Sequence, residues 1–348
     1  MCIRDRVYYL DNVNGRDSNS GLTEALAWNT IAKVNTISFS PGDQILFKRG
    51  ETWHETLIPL TSGIDGAPIV FGSYGTGDLP IIDGEDTRHC VDGSGKSYLT
   101  FQELDCRNGV GYGFRLNGVD HITVQDCVAS GMYWYGVSVI DGTSILVQHC
   151  TFSDGYRGVS FSTVHYSRVH HNVVTNMRGG GIDVVDGSDD NEVDENDSSF
   201  CAFAGCYLNG ERNLVHNNHF HHNWSVNFPT SDEPYGIGVY NSSYCEIYDN
   251  EINNNQCHGI EFWSGAGNTS SNNKVYRNKI YNNEQNGITI TSPTAENAFP
   301  ADNEIYYNLF YNNGWRGFGI STGHTGTGNK FYNTVSYTHL TLPTIYSV

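Results

Sequence analysis

The chain has 348 residues, with 19 lysines and arginines against 38 aspartates and glutamates, which gives a formal charge of −19. A surface this acidic repels phosphate backbones and anionic membranes, so the composition argues against nucleic acid as a partner. No apolar run is long enough to span a bilayer. The 39 glycines and 22 tyrosines, beside only 9 prolines, favour short strands and tight turns over a helical bundle.

The two ends of the chain are expected to differ in origin from the rest. MCIRD (1–5) can be encoded by DNA whose reverse complement reads VSYTH, and residues 335–339 have that sequence. Such a match between opposite strands is typical of a translated sequencing adapter. We therefore expect residues 1–6 and 335–348 to be non-native and set them aside, as one would a fusion scar. The natural chain is then expected to continue at both ends, so a missing signal peptide carries no information about location.

Residues 7–67 are predicted to form an N-terminal cap and the first turns of the domain. The segment 28–37 has an amphipathic pattern, which predicts a short helix that covers the open end of an apolar core.

Residues 68–334 contain an internal repeat. An Asn or Cys recurs with an apolar residue three positions before it and, in most copies, another two positions after it. This ladder consists of Cys127, Cys150, Asn172, Asn196, Asn218, Asn250, Asn278 and Asn308. Its early spacing of roughly 22–24 residues is a solenoid period. Between its copies lies a Gly-φ-x-φ pattern, in which φ is apolar: GFRL (113–116), GVSV (136–139), GVSF (158–161), GIDV (181–184), GCYL (205–208), GIGV (236–239), GIEF (259–262), GITI (287–290) and GFGI (317–320).

Alternation with period 2, a repeat near 23 residues and an Asn ladder at a bend together indicate coils of three short strands that bury their apolar sides by stacking. The pattern resembles the right-handed parallel β-helix, the pectate-lyase-like superfold. The predicted fold is therefore all-β, a right-handed parallel β-helix solenoid with a short N-terminal capping helix. Residues 7–50 also resemble the N-terminal region of many secreted β-helix proteins. The ladder cysteines Cys127 and Cys150 are expected to be buried, reduced thiols.

In this superfold the Gly-φ-x-φ strands usually form the floor of a substrate groove. Period 2 points each x residue outward, which predicts a floor column of Arg115, Ser138, Ser160, Asp183, Tyr207, Gly238, Glu261, Thr289 and Gly319. The residues before each Gly form a neighbouring column that includes Tyr235 and His258. Two insertions, 223–234 and 292–301, interrupt the repeat beside these residues, and long loops on one side of a solenoid usually mark the binding side.

Aromatic side chains are expected on the same side of the solenoid. Flat rings beside polar groups suit a sugar chain, whose faces are apolar and whose rims form hydrogen bonds. The predicted substrate-binding residues are Trp134, Tyr135, Arg157, Arg178, Tyr207, Trp224, Trp263 and Trp315.

Three enzyme families of this superfold offer motifs for comparison. CHGI (257–260) resembles the G-H-G motif of polygalacturonases, but Ala204–Gly205–Cys206 stand where that family has paired aspartates. PYGIGVY (234–240) followed by CHGIEF (257–262) is similar in frame and spacing to mannuronan epimerases, with Gly238 and Tyr240 in place of the catalytic Asp and His. Pectate lyases of the lysine-base type need a floor lysine, and neither column has one.

The residues themselves suggest several catalytic arrangements. Cleavage of a glycosidic bond usually needs two carboxylates about 5.5 Å apart for retention or up to about 9.5 Å for inversion. Asp183 and Glu261 lie three coils apart, roughly 14 Å at strand spacing, so they cannot act as a pair. Glu261 could instead pair with Asp232 or Glu233 of the first insertion. His258 and Tyr235 could provide acid–base function for hydrolysis or β-elimination.

The run DVVDGSDDNEVDEND (183–197) is rich in oxygen ligands of the kind that Ca²⁺ prefers. We consider Asp183, Asp186, Asp189 and Asp190 as a calcium site, with a solvated acidic turn as the alternative. The histidines of HH (170–171) and HNNHFHH (216–222) fall on the ladder side, and surface positions are favoured over metal ligands there.

The sequence thus predicts a secreted or cell-surface, monomeric carbohydrate-active enzyme that cleaves a polysaccharide as a lyase or a glycoside hydrolase. The alternative is a non-catalytic glycan-binding or adhesive β-helix, such as a surface-layer or tail-fibre module. The expected partner is the polysaccharide substrate, and calcium is the only cofactor considered.

Overall fold

The computed structural model describes residues 5–224, 234–265, 269–291, 299–320 and 327–337. Within these ranges the chain forms two sheets of 21 and 12 strands, and the named strands pair in parallel with strands of neighbouring coils. The prediction of an all-β parallel β-helix is confirmed.

The strands of the larger sheet are, in chain order, Val7–Leu10, Gln44–Lys48, Ile69–Tyr74, Val91–Asp92, Ser97–Gln102, Tyr112–Gln125, Tyr135–Gln148, Arg157–His165, Arg168–His170, Ile182–Val185, Glu192–Asp194, Ala204–Leu208, Leu214–His216, Tyr235–Tyr240, Glu246–Tyr248, Ile260–Trp263, Lys274–Tyr276, Ile288–Thr291, Glu304–Tyr306, Phe318–Ile320 and Lys330–Tyr332. The strands of the smaller sheet are Thr52–Trp53, Ile81–Asp83, Asp105–Arg107, Val128–Ser130, Thr151–Ser153, Val173–Thr175, Asp197–Ser199, His219–His221, Glu251–Asn253, Lys279–Tyr281, Leu309–Tyr311 and Val335–Tyr337.

Each regular coil has three faces. The floor face carries the Gly-φ-x-φ strands, the second face follows it along the chain, and the third face is the smaller sheet. The floor and second faces belong to one sheet because Tyr112–Gln125 and Tyr135–Gln148 run without a break from one face to the other.

The corners between faces are made by residues in the left-handed region of backbone space. At the corner between the second and third faces these residues are Asp126, His149, His171, Glu195, Asn217, Asp249 and Arg277, with φ between 53° and 56°. A non-glycine residue at such angles costs roughly 1–2 kcal/mol, with Asn, Asp and His tolerating them better than most. The stacked coils must therefore recover this cost through their contacts.

Inward φ residues of successive coils lie in columns. Ile182, Ile237 and Ile260 occupy equivalent positions on the floor face, and each is completely buried. Burial of one such side chain contributes about 2 kcal/mol. The repeat glycine is needed because this corner is tight: a Cβ at Gly259 would lie 2.5 Å from Ile280 Cγ2 and from the carbonyl oxygen of Gly287.

The predicted Asn ladder is one of three. In the predicted one, Asn218 donates its backbone N–H and its amide Nδ2 to Asn250 Oδ1, both at 3.0 Å, and Asn250 does the same to Asn278. A second ladder lies between the floor and second faces, and a third between the third face and the floor. Their members are Asn191, Asn213, Asn273, Asn303 and Asn329 in the second, and Asn223, Asn255, Asn283 and Asn313 in the third.

The N-terminal cap contains the predicted helix in a shorter form. The α-helix spans Ile31–Val34, and a 3₁₀ turn spans Glu24–Leu26. Thr30 caps the helix by accepting the Lys33 backbone N–H at 3.1 Å, while Ile31 and Val34 are buried in the core. Trp28 lies just before the helix and stacks on Tyr8 with ring centroids 5.0 Å apart.

The eight cysteines of the described ranges are buried and form no disulfide with one another. Burial raises the pKa of Cys127 and Cys201 above the ordinary thiol value, which keeps both thiols protonated. No helix in the described part of the chain is long and apolar enough to cross a membrane.

Replacement of Asn250 by alanine is expected to lower the free energy of unfolding by roughly 3 kcal/mol, because the buried Asn218 backbone N–H and Asn278 Oδ1 then lose a hydrogen-bond partner. The control is Asn282→Ala, at an exposed corner with φ 54°, where only the left-handed backbone is affected and about 1 kcal/mol is expected. Urea unfolding followed by circular dichroism measures both. Equal losses would show that the ladder amides are not the stabilising element.

Candidate functional site on the floor face

The predicted floor column has the register that the repeat implied. Asp183 pairs with Tyr207, Tyr207 with Gly238, and Gly238 with Glu261 on successive coils. Gly238 is thus the one position between Tyr207 and Glu261 that carries no side chain. The Tyr207 ring lies across it, since a Cβ at Gly238 would be 2.8 Å from Tyr207 Cδ2. This leaves a depression beside Glu261.

A cavity of about 470 Å³ occupies this depression. Its described lining consists of Phe203, Tyr207, Tyr235, Gly238, Val239, Tyr240, Glu261, Trp263 and Thr291. Five of these nine residues are aromatic, and Glu261 is the single ionisable carboxylate among the described lining residues. The composition matches a small-molecule or glycan site, which is mostly apolar with a few polar groups.

The aromatic residues form a continuous wall. Tyr240 and Trp263, on neighbouring coils, are stacked with centroids 4.3 Å apart and an interplanar angle of 19°. Tyr207 is stacked 6.3 Å from Tyr240, and Phe203 lies 5.0 Å from Tyr207. Such a wall is rigid because each ring is held by its neighbour, and it offers an apolar surface to a sugar ring.

The structure gathers four of the predicted site residues at this cavity: Tyr207, Tyr235, Glu261 and Trp263. His258 is on the coil of Glu261 but is buried, and its Nδ1 accepts the Asn286 backbone N–H at 3.0 Å. That bond assigns the proton to Nε2 and connects His258 to the next coil. Trp315 packs edge-on against the His258 ring at 6.1 Å. Asp232 and Glu233, the predicted carboxylate partners of Glu261, lie outside the described residues.

Asp183 does not join this cavity. It belongs to the floor column, three coils from Glu261, but its side chain is completely buried. Its Oδ2 is 2.7 Å from Arg157 Nε, although neither carboxylate oxygen accepts a hydrogen bond from the described residues. Burial raises the pKa of Asp183, and the positive charge of Arg157 lowers it by less. A carboxylate in this position is closed to substrate, which is a correction to its predicted catalytic role.

The other predicted binding residues are distributed along the solenoid. Tyr135 and Trp134 lie several coils upstream, where Arg157 is 5.8 Å from the Tyr135 ring. Arg178 donates to the Tyr133 carbonyl oxygen at 2.8 Å. Trp224 and Trp315 are exposed. These residues are separate from the described cavity lining, and a substrate would contact them together with Glu261 only if it were long.

The four aspartates considered for calcium do not converge. Asp183 pairs with Arg157, and Asp186 accepts a hydrogen bond from Ser162 Oγ at 2.8 Å. Arg212 neutralises the other two, Asp189 at 3.3 Å and Asp190 at 2.8 Å. Arginine already compensates three of the four carboxylates, so this set does not fit a calcium ion.

The sequence prediction missed Phe203, and it named Tyr240 only as a departure from a family motif. Tyr240, Trp263 and Thr291 are in register two positions after the x column, so they point outward by the same period of 2. Extending the column by one alternation along each strand identifies Tyr240 and Thr291 beside the predicted Trp263. Phe203 lies in a turn before its strand, and periodicity gives no signal there.

The sequence matches the family described as "Right handed beta helix region" over residues 84–198, 112–275 and 185–299. Over 81 residues, 22% of its length, the chain is 33% identical to a lacto-N-biosidase from Bifidobacterium longum subsp. longum, and the match spans 5% of that protein.

The fold is similar to that of several solved structures. A GH136 lacto-N-biosidase from Eubacterium ramulus superposes with a TM-score of 0.76 at 16% identity, over 95% of this chain and 68% of that chain. An alginate lyase from Paenibacillus sp. FPU-7 superposes with a TM-score of 0.63 at 12% identity, over 79% of this chain and 97% of that chain. The A-module of a mannuronan C-5 epimerase from Azotobacter vinelandii superposes with a TM-score of 0.62 at 13% identity, over 85% of this chain and 90% of that chain. At these identities the likeness establishes the fold, and function has to be argued from the site.

The variant Asp183→Asn tests the buried carboxylate. Because burial raises the folded-state pKa of Asp183, its contribution to stability is fully present below the unfolded pKa of about 3.9 and is lost as the pH rises. The stability of the natural chain relative to Asp183→Asn should therefore fall as the pH is raised above about 4. Urea midpoints measured across this range check the sign. A difference that stays constant or increases with pH would contradict the burial argument.

Proposed function

The chain belongs to the right-handed β-helix family, and on this premise we propose that it is a carbohydrate-active enzyme that cleaves a glycosidic bond in the cavity beside Glu261. The observation that carries the proposal is the juxtaposition of one carboxylate with a wall of stacked aromatic rings in a cavity of about 470 Å³. The aromatic wall would bind the apolar face of a sugar, and Glu261 would reach the glycosidic oxygen or the attacking water.

Glycoside hydrolysis needs a second acid or base. We assign it to Asp232 or Glu233, which are three and two residues before the cavity-lining Tyr235 in the sequence. Asp183 is excluded from this role by its burial and by three coil spacings, roughly 14 Å. Tyr235 lines the cavity and is the alternative proton donor or acceptor.

We favour hydrolysis over β-elimination. A lyase must neutralise the carboxylate of a uronate, but the described cavity lining contains no lysine or arginine. The neighbouring segments 225–233, 266–268 and 292–298 have no lysine or arginine in their sequence. Arg157 is engaged with Asp183, and the nearest floor arginine, Arg316, lies two coils beyond Glu261, about 10 Å along the axis. A neutral glycan suits these surroundings better than a polyuronate.

The names of the relatives support a glycan substrate, since lacto-N-biosidases and an alginate lyase are among them. We also propose that the protein is secreted or held at the cell surface, where such a substrate is found, and acts as a monomer.

The direct test is incubation of the 348-residue chain with a glycan panel that begins with a lacto-N-biosidase substrate and includes neutral and uronate polysaccharides. New reducing ends and the absorbance of unsaturated uronates are measured separately. Reducing ends without unsaturated uronates are expected. Unsaturated products would replace the hydrolase with a lyase, and binding without either product would favour the adhesive alternative.

Glu261→Gln keeps the shape of the side chain but removes its charge and proton-transfer capacity, so we expect turnover to fall by at least about a hundredfold. The matched control is Glu246→Gln on the second face, where the carboxylate pairs with Lys274 at 2.9 Å and turnover should be unchanged. If Glu261→Gln retained full turnover while the fold was intact by circular dichroism, the site would have to lie elsewhere on the solenoid.

Trp263→Ala removes one ring of the stacked pair with Tyr240 and should raise KM roughly tenfold, the equivalent of about 1.4 kcal/mol, on short and long substrates alike. Trp134 lies on the floor side five coils from Glu261, about 24 Å along the axis. Trp134→Ala should therefore raise KM for a long polysaccharide but leave a short oligosaccharide unaffected. Equal effects of both variants on a short substrate would contradict a site confined to the Glu261 cavity.

A further inference from the structure

We propose a divalent transition-metal site, of the Zn²⁺ type, formed by His170, His171 and Glu195. These residues lie at the corner between the second and third faces, opposite the floor face, so the site is separate from the Glu261 cavity. One ligand atom of each residue lies within 4.8 Å of the others. Imidazole nitrogen and carboxylate oxygen are the donors that Zn²⁺ takes in proteins.

The spacing of the two imidazoles fits one ion. His170 Nε2 and His171 Nδ1 are 3.3 Å apart. Two nitrogens bound to one tetrahedral zinc at 2.0–2.1 Å are separated by about 3.3 Å. Glu195 Oε2 lies 2.6 Å from His171 Nδ1, a hydrogen-bond distance that must lengthen slightly when an ion enters. With Nδ1 bound to the ion, the remaining ring proton of His171 would lie on Nε2.

A buried partner orients His170. Its Nδ1 lies 2.7 Å from Asp194 Oδ2, and the Asp194 side chain is only 1% exposed. The carboxylate holds the proton on Nδ1 and leaves the Nε2 lone pair directed at His171. Carboxylate–histidine–metal arrangements of this kind fix the ring tautomer and increase ligand basicity. Arg168 holds Asp194 in turn, with hydrogen bonds of 2.7 and 2.6 Å.

Two further clusters of His and carboxylate are less suitable. In the group of Glu192, Asp194 and His216, both carboxylates are already paired with Arg168, so neither is available as a ligand. In the group of Asp197, His219 and His221, both rings direct a nitrogen at the Asp197 carboxylate, at 3.5 and 3.1 Å. That carboxylate is 46% exposed, however, and does not provide the buried, orienting partner that Asp194 gives His170. This second group is a useful internal control because it has the same donor types.

The ion would connect two coils. His170 and His171 belong to one coil and Glu195 to the next, where the His171 backbone N–H donates to the Asp194 carbonyl oxygen at 3.1 Å. His149 lies at the same corner one coil earlier, with its ring centroid 5.1 Å from that of His171. Since a solenoid is held by contacts between neighbouring coils, ligation across this interface should stabilise it.

The experiment uses the 348-residue chain purified without a histidine tag, stripped with a chelator and titrated with ZnCl₂ by calorimetry. We expect one Zn²⁺ per chain and a higher thermal midpoint with zinc. His171→Asn should weaken binding at least tenfold without harming the corner, because Asn217 holds the equivalent position two coils further on with φ 56°. Glu195→Gln, which keeps the size of the side chain, should weaken it similarly.

The control is the double variant His219→Asn, His221→Asn, which should bind zinc as the natural chain does. Co²⁺ added in place of Zn²⁺ reports a four-coordinate site by its visible absorption. This absorption should be present in the natural chain and in the double variant, and it should disappear in His171→Asn and in Glu195→Gln. Absence of stoichiometric zinc binding would overturn the proposal. So would binding that survives His171→Asn and Glu195→Gln but is lost in the double variant, since the ion would then occupy the Asp197 group.

Discussion

The buried side-chain amides at the three corners are the interaction on which this solenoid depends. Each corner interrupts the strand ladder and turns a backbone N–H toward the interior, where an unpaired donor costs about 1–3 kcal/mol. The ladder asparagine of the next coil accepts that N–H, as Asn250 does for Asn218, and donates its own amide to a carbonyl oxygen of the previous coil. In the described coils that carry a ladder asparagine, such as that of Asn250, the amides connect one coil to its two neighbours and fix their register. They also leave a strained residue with positive φ beside each ladder position, a cost that the repeated contacts must outweigh.

Fixed register is what allows outward residues to form a site. Because the coils cannot slip, Gly238 is held in register between Tyr207 and Glu261. The Tyr207 ring lies across the space that the glycine leaves open. The cavity is thus produced by the lack of one side chain in a column, together with rings that are long enough to enclose the gap. Mannuronan epimerases, which the repeat resembles here, place a catalytic aspartate at the position of Gly238. In this chain a Cβ there would lie 2.8 Å from Tyr207 Cδ2, so a side chain at position 238 is incompatible with the aromatic wall as it stands.

Sequence periodicity predicted the columns but not what covers them. Period 2 correctly aligned Asp183 with Tyr207, Gly238 and Glu261, yet Asp183 is buried, because Arg157 from the adjacent column reaches it and Gly180 allows the chain to close over it. Likewise His258 was predicted as catalytic, whereas its Nδ1 is used by a backbone N–H that no pattern reveals. The repeat pattern predicts only one of the three Asn ladders, for a different reason. The asparagines of the other two begin or end the repeat blocks, as in NKVYRN (273–278) and YNN (281–283), where asparagine is equally typical of an ordinary turn.

The corner geometry also explains why histidines and carboxylates collect opposite the floor. Positive φ is best tolerated by Asn, Asp and His, so the constraint that turns the chain also selects side chains that can bind metal ions. His149, His171 and Glu195 stand in one such column, one coil apart. Most of these residues need no function beyond the turn. What distinguishes His171 is its neighbour: His170 belongs to the strand and not to the corner, and buried Asp194 fixes its ring. A column of strained turn residues becomes a ligand set only where an adjoining strand supplies an oriented partner, and in the described chain His170 meets this condition most closely.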